Sequence, residues 1–187
     1  MTTQYLALLR GINVGGNNLI KMTDLKACLE EAGFANVATY IQSGNVLFEA
    51  PKTAPAQLER KLERVLSEKF DHYKAWVLVR SLKEMQQTVG AAPKGYGSEP
   101  EKYRYDLLFT RDPLTPAEVI NSIIPKEGVD ALAPGLEVVY WTRLTSRATS
   151  SRISRIASMP IYQNMTLRNW NTTTKLLGLM KARKETK

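Results

Sequence analysis

The chain has 187 residues, 43% of them apolar, and a formal net charge of +8. That length suits one domain or two small ones with a sizeable core, and that composition excludes a disordered chain. One cysteine, Cys28, and one histidine, His72, exclude an intrachain disulfide and a Cys/His zinc cluster. No motif for another metal or cofactor stands out, and none is expected. His72 lies in the polar run Phe70-Asp71-His72-Tyr73-Lys74 beside no nucleophile, which leaves a Ser/His/Asp triad without support. No apolar run approaches the ~18 residues of a membrane span, the start MTTQYLALLRG has no basic n-region, and Thr2 is not a myristoylation glycine. A cytosolic protein that binds no membrane is expected. Charge is uneven: residues 143–187 hold ten Lys/Arg against Glu185 alone, while the rest of the chain is nearly neutral. Such asymmetry fits an anionic partner or a solvated basic tail.

Along the chain, Gln4–Arg10 is a near-continuous apolar run, which predicts a strand buried on both faces. A Gly/Asn loop follows over Gly11–Asn18. Thr23 is a plausible N-cap, Leu25, Cys28, Leu29 and Ala32 recur at helical spacing, and Gly33 marks the stop. Cys28 thereby falls on the core face. Val37–Gln42 and Val46–Glu49 predict strands around the turn signal Ser43-Gly44-Asn45. Ala56–Phe70 is an amphipathic helix with Leu58, Leu62, Val65, Leu66 and Phe70 inward and Glu59, Lys61, Glu63 and Arg64 outward. Ala75–Arg80 is a further strand. The order β-α-β-β-α-β is the split β-α-β, or ferredoxin-like, arrangement. Its helices leave one sheet face open, yet the first strand is apolar on both sides, so the second half of the chain is expected to cover it.

Ser81–Val89 suggests a short helix, and Gly90–Glu101 a connector. Arg104–Thr110 predicts a strand, Thr115–Ile124 a helix with Pro116 in its first turn, and Leu136–Thr142 a strand with Val129–Ala133 as its pairing candidate. Ser150–Ser158 suggests a short helix and Thr166–Arg183 a C-terminal one. The expected class is α+β, with two ferredoxin-like halves packed together and the second less regular. The expected division is 1–80, a connector over 81–103, and 104–187.

Four segments can carry chemistry. The loop with Arg10, Gly11, Asn13, Gly15 and Gly16, followed by Lys21, can turn backbone N–H groups toward an anion, but its spacing matches neither a dinucleotide fingerprint nor a P-loop. A tight structural loop is the alternative. The turn with Gln42, Ser43 and Asn45 is either a simple hairpin or a set of side-chain donors. If the C-terminal helix starts early, Asn164, Arg168, Asn171 and Lys175 share a face, and Asn169 and Thr172 stand among them; two cations and two amides there suit a phosphate or carboxylate. Asn and Thr form helices poorly, so their clustering needs a reason. Arg143, Arg147, Arg152 and Arg155, among serines and threonines, form a candidate phosphate-contacting patch or a solvated loop. No acid/base carboxylate pair, nucleophile elbow or aromatic RNA-binding strand motif stands out, so no catalytic residue is assigned.

The combination Leu8-Leu9-Arg10-Gly11-Ile12-Asn13-Val14-Gly15-Gly16, Lys21-Met22-Leu25, Thr39-Tyr40-Ile41-Gln42-Ser43-Gly44-Asn45-Val46-Leu47-Phe48 and Thr166-Arg168-Asn169-Trp170-Asn171-Thr172-Lys175-Leu176 resembles the bacterial family called domain of unknown function 1697. The resemblance spans nearly the whole chain. It implies two ferredoxin-like halves and supplies no activity or catalytic residue. Three functions follow from the residues: a site for an anionic or phosphorylated ligand between the glycine loop and the C-terminal helix; a nucleic-acid-binding module using the basic last quarter, with Trp141 and Trp170 as stackers; and a protein-interaction or oligomerisation module. An exposed apolar patch would mark the last of these.

Overall fold

The structure, a computed structural model, describes residues 2–16 and 18–185. Asn17 of the glycine loop and the terminal Thr186 and Lys187 lie outside the described residues, as do the side chains of Ser154, Lys184 and Glu185. The chain divides into two compact units, Met1–Met85 with Leu176–Lys187, and Gln86–Lys175.

The first unit runs β1 (Thr2–Leu9), α1 (Met22–Glu31), β2 (Ala35–Tyr40), β3 (Asn45–Pro51), α2 (Pro55–Lys69) and β4 (Val77–Ser81). Its sheet order is β2-β3-β1-β4, with every neighbouring pair antiparallel. This is the split β-α-β topology. Side chains alternate along β1. Tyr5, Ala7 and Leu9 meet Leu25, Cys28 and Leu29 of α1 and Leu58, Leu62 and Leu66 of α2 in one core. Phe48 joins them, stacked on Tyr5 at 5.6 Å and edge-on to Phe34 at 4.9 Å. Each leucine or phenylalanine buried there contributes about 1.5–3 kcal/mol by leaving water. Leu6 and Leu8, on the opposite face, are also fully buried. Burial pushes the Cys28 thiol pKa up, in keeping with core packing.

Two local expectations fail here. Thr23 does not cap α1: Lys21 takes the N-cap position two residues earlier, and the Thr23 hydroxyl donates to Asp24 instead. Its far end does follow the expected stop, with the N–H groups of Gly33 and Phe34 returning to the carbonyls of Glu30 and Leu29. Glu59, placed on the solvent face by its charge, is buried. It accepts from the N–H of Val79 at 2.9 Å, and Glu63, one turn on, accepts from Val77 at 3.0 Å. β4 is an edge strand, and these carboxylates occupy outward N–H groups that would otherwise invite another strand.

Helix α3 (Leu82–Gly90) runs across the division of the units. The second unit continues with β5 (Tyr103–Thr110), α4 (Pro116–Ser122), β6 (Asp130–Pro134), β7 (Val138–Leu144) and β8 (Met165–Asn169), and α5 (Trp170–Glu185) begins in it. The sheet order β6-β7-β5-β8 repeats that of the first unit. Helix α4 opens on a reciprocal cap between Thr115 and Glu118, which holds the Glu118 carboxyl below its ordinary pKa. Leu108, Val119, Val139, Trp141 and Met165 form its core. Among the described residues no second α-helix contributes to this core. Three 3-10 segments, Thr145–Ser150, Ile153–Ser158 and Pro160–Asn164, take its place, where a short α-helix was expected over Ser150–Ser158. Ile153 and Ile156 are both buried. Three-residue spacing aligns them on one ridge of a 3-10 turn. The expected C-terminal helix also splits: Met165–Asn169 is strand β8, paired with β5, and only from Trp170 is the chain helical.

Candidate functional site

In the first unit the glycine loop and the hairpin turn are stitched into one tip. The Asn13 amide, at φ +53°, donates to the carbonyls of Ile20 (2.9 Å) and Gln42 (3.0 Å) and accepts from the N–H of Ile20 (2.8 Å). Asn18 donates to the Gly11 carbonyl at 2.7 Å. Asn45, fully buried, donates to the Tyr40 carbonyl and the Ser43 hydroxyl. The Leu9 N–H reaches the Gly44 carbonyl at 2.8 Å. Gly44 (φ +71°) is required there: a Cβ would stand 2.5 Å from Ile12 Cγ2 and 2.8 Å from Leu9 Cβ. Arg10 lies over the Trp76 indole at 4.5 Å, and its carbonyl accepts from the Tyr73 hydroxyl. The amides of Asn13 and Asn45 are thus committed to holding backbone. Gly11, Gly15, Gly16, Lys21 and Gln42 are exposed, and Ser43 is half-buried.

The tip shows something the sequence reading did not single out. Among the described residues five large apolar side chains are exposed. Three of them sit here: Val14 (61% exposed), Leu19 (68%) and Ile41 (51%). Each is the chain neighbour of a residue in the Asn13 knot, namely Asn13, Ile20 and Gln42. Ile41 moreover adopts φ +48°, a left-handed conformation that crowds a β-branched side chain.

In the second unit the C-terminal motif has a structural account. Arg168 is on β8, mostly buried, with its guanidinium donating to the Thr166 hydroxyl and the Leu167 carbonyl. Asn169 caps α5 by accepting from the Asn171 N–H at 3.0 Å, and donates to the Tyr105 carbonyl of β5. The Thr173 and Thr174 hydroxyls return to the carbonyls of Asn169 and Asn171. Poor helix formers therefore cluster at the helix start, where side chains satisfy the first turn. Asn171 and Lys175 are exposed and Thr172 is half-buried. With Asn164 in a 3-10 segment and Arg168 on a strand, the expected helical stripe of four does not form.

The arginine-rich stretch is fastened by one carboxylate. Asp130, 8% exposed, accepts from the Trp141 indole N–H (3.1 Å), the Ser151 hydroxyl (2.7 Å) and the backbone N–H groups of Lys126 (3.2 Å) and Arg152 (3.1 Å). Arg147, Arg152 and Arg155 are exposed, whereas Arg143 lies over the Trp141 ring at 4.9 Å. Trp141 itself is 3% exposed, so it offers no face for stacking. Among the described residues no group of three or more His, Cys, Asp or Glu gathers for a metal, and no helix is long and apolar enough to cross a membrane.

Two sheets of one strand order, one with its full complement of helices, define an α+β protein built of two ferredoxin-like halves. A family described as protein of unknown function, DUF1697, matches residues 1–140, and the chain belongs to that family. The solved structure of conserved bacterial protein SP0830 from Streptococcus pneumoniae is similar, with a TM-score of 0.82 and 26% identity over 96% of this chain and 99% of that one. No curated protein matches.

Proposed function

We propose that this chain is a protein-binding module whose contact surface is the tip formed by the glycine loop and the Ile41–Gly44 turn. One observation carries the reading: Val14, Leu19 and Ile41 are exposed around a knot centred on the Asn13 amide. A tip whose two loops are already cross-linked by hydrogen bonds loses less entropy on docking than free loops would. Ile41 adds weight, since a β-branched residue that is half exposed and in a left-handed conformation is unfavourable on both counts. A photoreactive amino acid at position 41 should give a discrete adduct in cells, absent when it replaces Ile124 or Leu136, the exposed apolar residues of the other unit. The partner, identified and purified, should bind Ile41→Ser or Val14→Ser at least about tenfold more weakly, as for a small set of anchors. Equal labelling at positions 41, 124 and 136 would sink the reading.

A second reading, anion binding at the same loop, is favoured by the exposed, positive-φ pair Gly15 and Gly16, with exposed Lys21 following in the chain. Inorganic phosphate should then raise the melting temperature of the natural protein and not of Lys21→Ala. Identical shifts in both would dispose of it.

A further inference from the structure

The second unit holds a cavity of about 240 Å³ on the sheet face opposite α4, between strands β5, β6 and β7 and the connector over residues 93–96. Tyr96, Tyr103, Tyr105 and Tyr140 line it, with Thr142 and Lys94. Strand alternation explains the gathering. Tyr103 and Tyr105 are two apart on β5 and so share a face, and the register sets Tyr105 opposite Thr142 and Leu107 opposite Tyr140 on β7.

Three of the four rings are fixed. The Tyr96 hydroxyl lies 2.7 Å from the Asp106 carbonyl and 3.1 Å from that of Trp141. Its ring meets Tyr105, Tyr140 and Trp170 edge-on at 4.9, 5.3 and 5.0 Å. The Tyr140 hydroxyl donates to the Thr88 carbonyl at 2.6 Å, and that of Tyr105 accepts from the Glu99 N–H at 3.3 Å. Gly97 (φ +87°) admits Trp170 to this cluster, because a Cβ would stand 2.2 Å from the indole nitrogen. Burial, and after it the charge of Asp106, push the Tyr96 phenol pKa upward, so that ring stays neutral. Tyr103 differs: it is half-buried, and Lys102 sits 4.9 Å from its ring centroid. Lys102 is shared with Glu99 at 3.8 Å, while Lys94 has no carboxylate partner among the described residues.

These walls select a ligand class. Three hydroxyls are already engaged with backbone, which leaves few donors for a polyhydroxyl sugar. The volume falls below the ~300 Å³ of a typical drug-sized site, room for one ring system rather than a long chain. Aromatic faces with few polar groups suit a flat ring, and a lysine at the rim suits an anionic substituent. We infer that this cavity is a binding site for a planar heteroaromatic ring of the nucleobase class carrying a phosphate, the ring against Tyr103 and the phosphate at Lys94. The same chemistry arises in a free nucleotide and in one unit of a single strand. The site shares no residue with the tip of the first unit, so either reading can fail alone.

The test uses the full chain labelled with ¹⁵N. Nucleoside monophosphates, the matching nucleosides, inorganic phosphate and a short single-stranded oligonucleotide are titrated while the amides of Gly95 and Gly97 are followed. Monophosphates should shift these amides saturably. Tyr103→Ala should weaken binding about tenfold, as expected for loss of one stacking platform, and Tyr103→Phe should not. Lys94→Ala should weaken the monophosphate toward the nucleoside. Tighter binding of the oligonucleotide than of the monophosphate would assign the site to a strand, and equal or weaker binding to a free nucleotide. No shift at several millimolar monophosphate, equal affinity in a folded Tyr103→Ala, or the same shifts from inorganic phosphate alone would each overturn the inference.

Discussion

In the first unit two regular helices cover one face of the sheet, and the side chains that meet there are almost all apolar. In the second, one seven-residue helix and three 3-10 segments do the same job over a sheet of the same strand order. The arginine-rich stretch has too few apolar residues to hold itself down. Ile153 and Ile156 reach the core, and two of the four hydrogen bonds to Asp130, from the Ser151 hydroxyl and the Arg152 N–H, tie the stretch to the sheet. One topology can therefore be closed by distributed hydrophobic burial or by a buried polar hub. The two respond differently to damage, since a hub concentrates several donors on one residue.

Truncating the first core tests its side of this contrast. Phe48→Ala removes a fully buried ring packed on Tyr5 and Phe34 and should cost about 3–5 kcal/mol, read by denaturant unfolding. A loss below about 1 kcal/mol would mean that core closes without it. For the second unit, Asp130→Ala strands the Trp141 and Ser151 donors and two backbone N–H groups, and should cost about 3 kcal/mol. Amide exchange should speed up over residues 145–164 while β1 and β3 stay protected. Uniform loss of protection across both sheets would show that Asp130 does not act locally. The smallest effect has the opposite sign. Ile41→Asn relieves a left-handed β-branched residue and should stabilise the chain by up to about 1 kcal/mol, because Asn tolerates that conformation. If the tip docks a partner, the same change weakens docking while raising the melting temperature. A fall in melting temperature would show that Ile41 is held for stability.

Residues with two readings decided how far the site could be seen in advance. The glycine loop, the Ser43-Gly44-Asn45 turn and the Asn169 region all stand out as motifs, yet Asn13, Asn45 and Asn169 turn their amides onto backbone carbonyls. An amide that ties a loop and one that holds a ligand look alike in a string of letters. The tyrosine cavity was less visible still. Tyr103-x-Tyr105 signals a shared face, but Tyr96 and Tyr140 join it only through a connector and a strand pairing remote in sequence.

Hydrophobic periodicity by itself determined the elements of the first unit and their order, because an apolar stripe of period 3.6 or 2 can be buried in few ways. It also placed Cys28 in the core and the Gly33 stop at the end of α1. Only tertiary structure decided that Glu59 is buried under an edge strand, that Met165–Asn169 is a strand rather than a helix start, and that Asp130 holds the arginine stretch. Each of these depends on a hydrogen-bond partner far along the chain. Backbone and carboxylate groups accept whichever donor the fold brings near, and local composition does not name it.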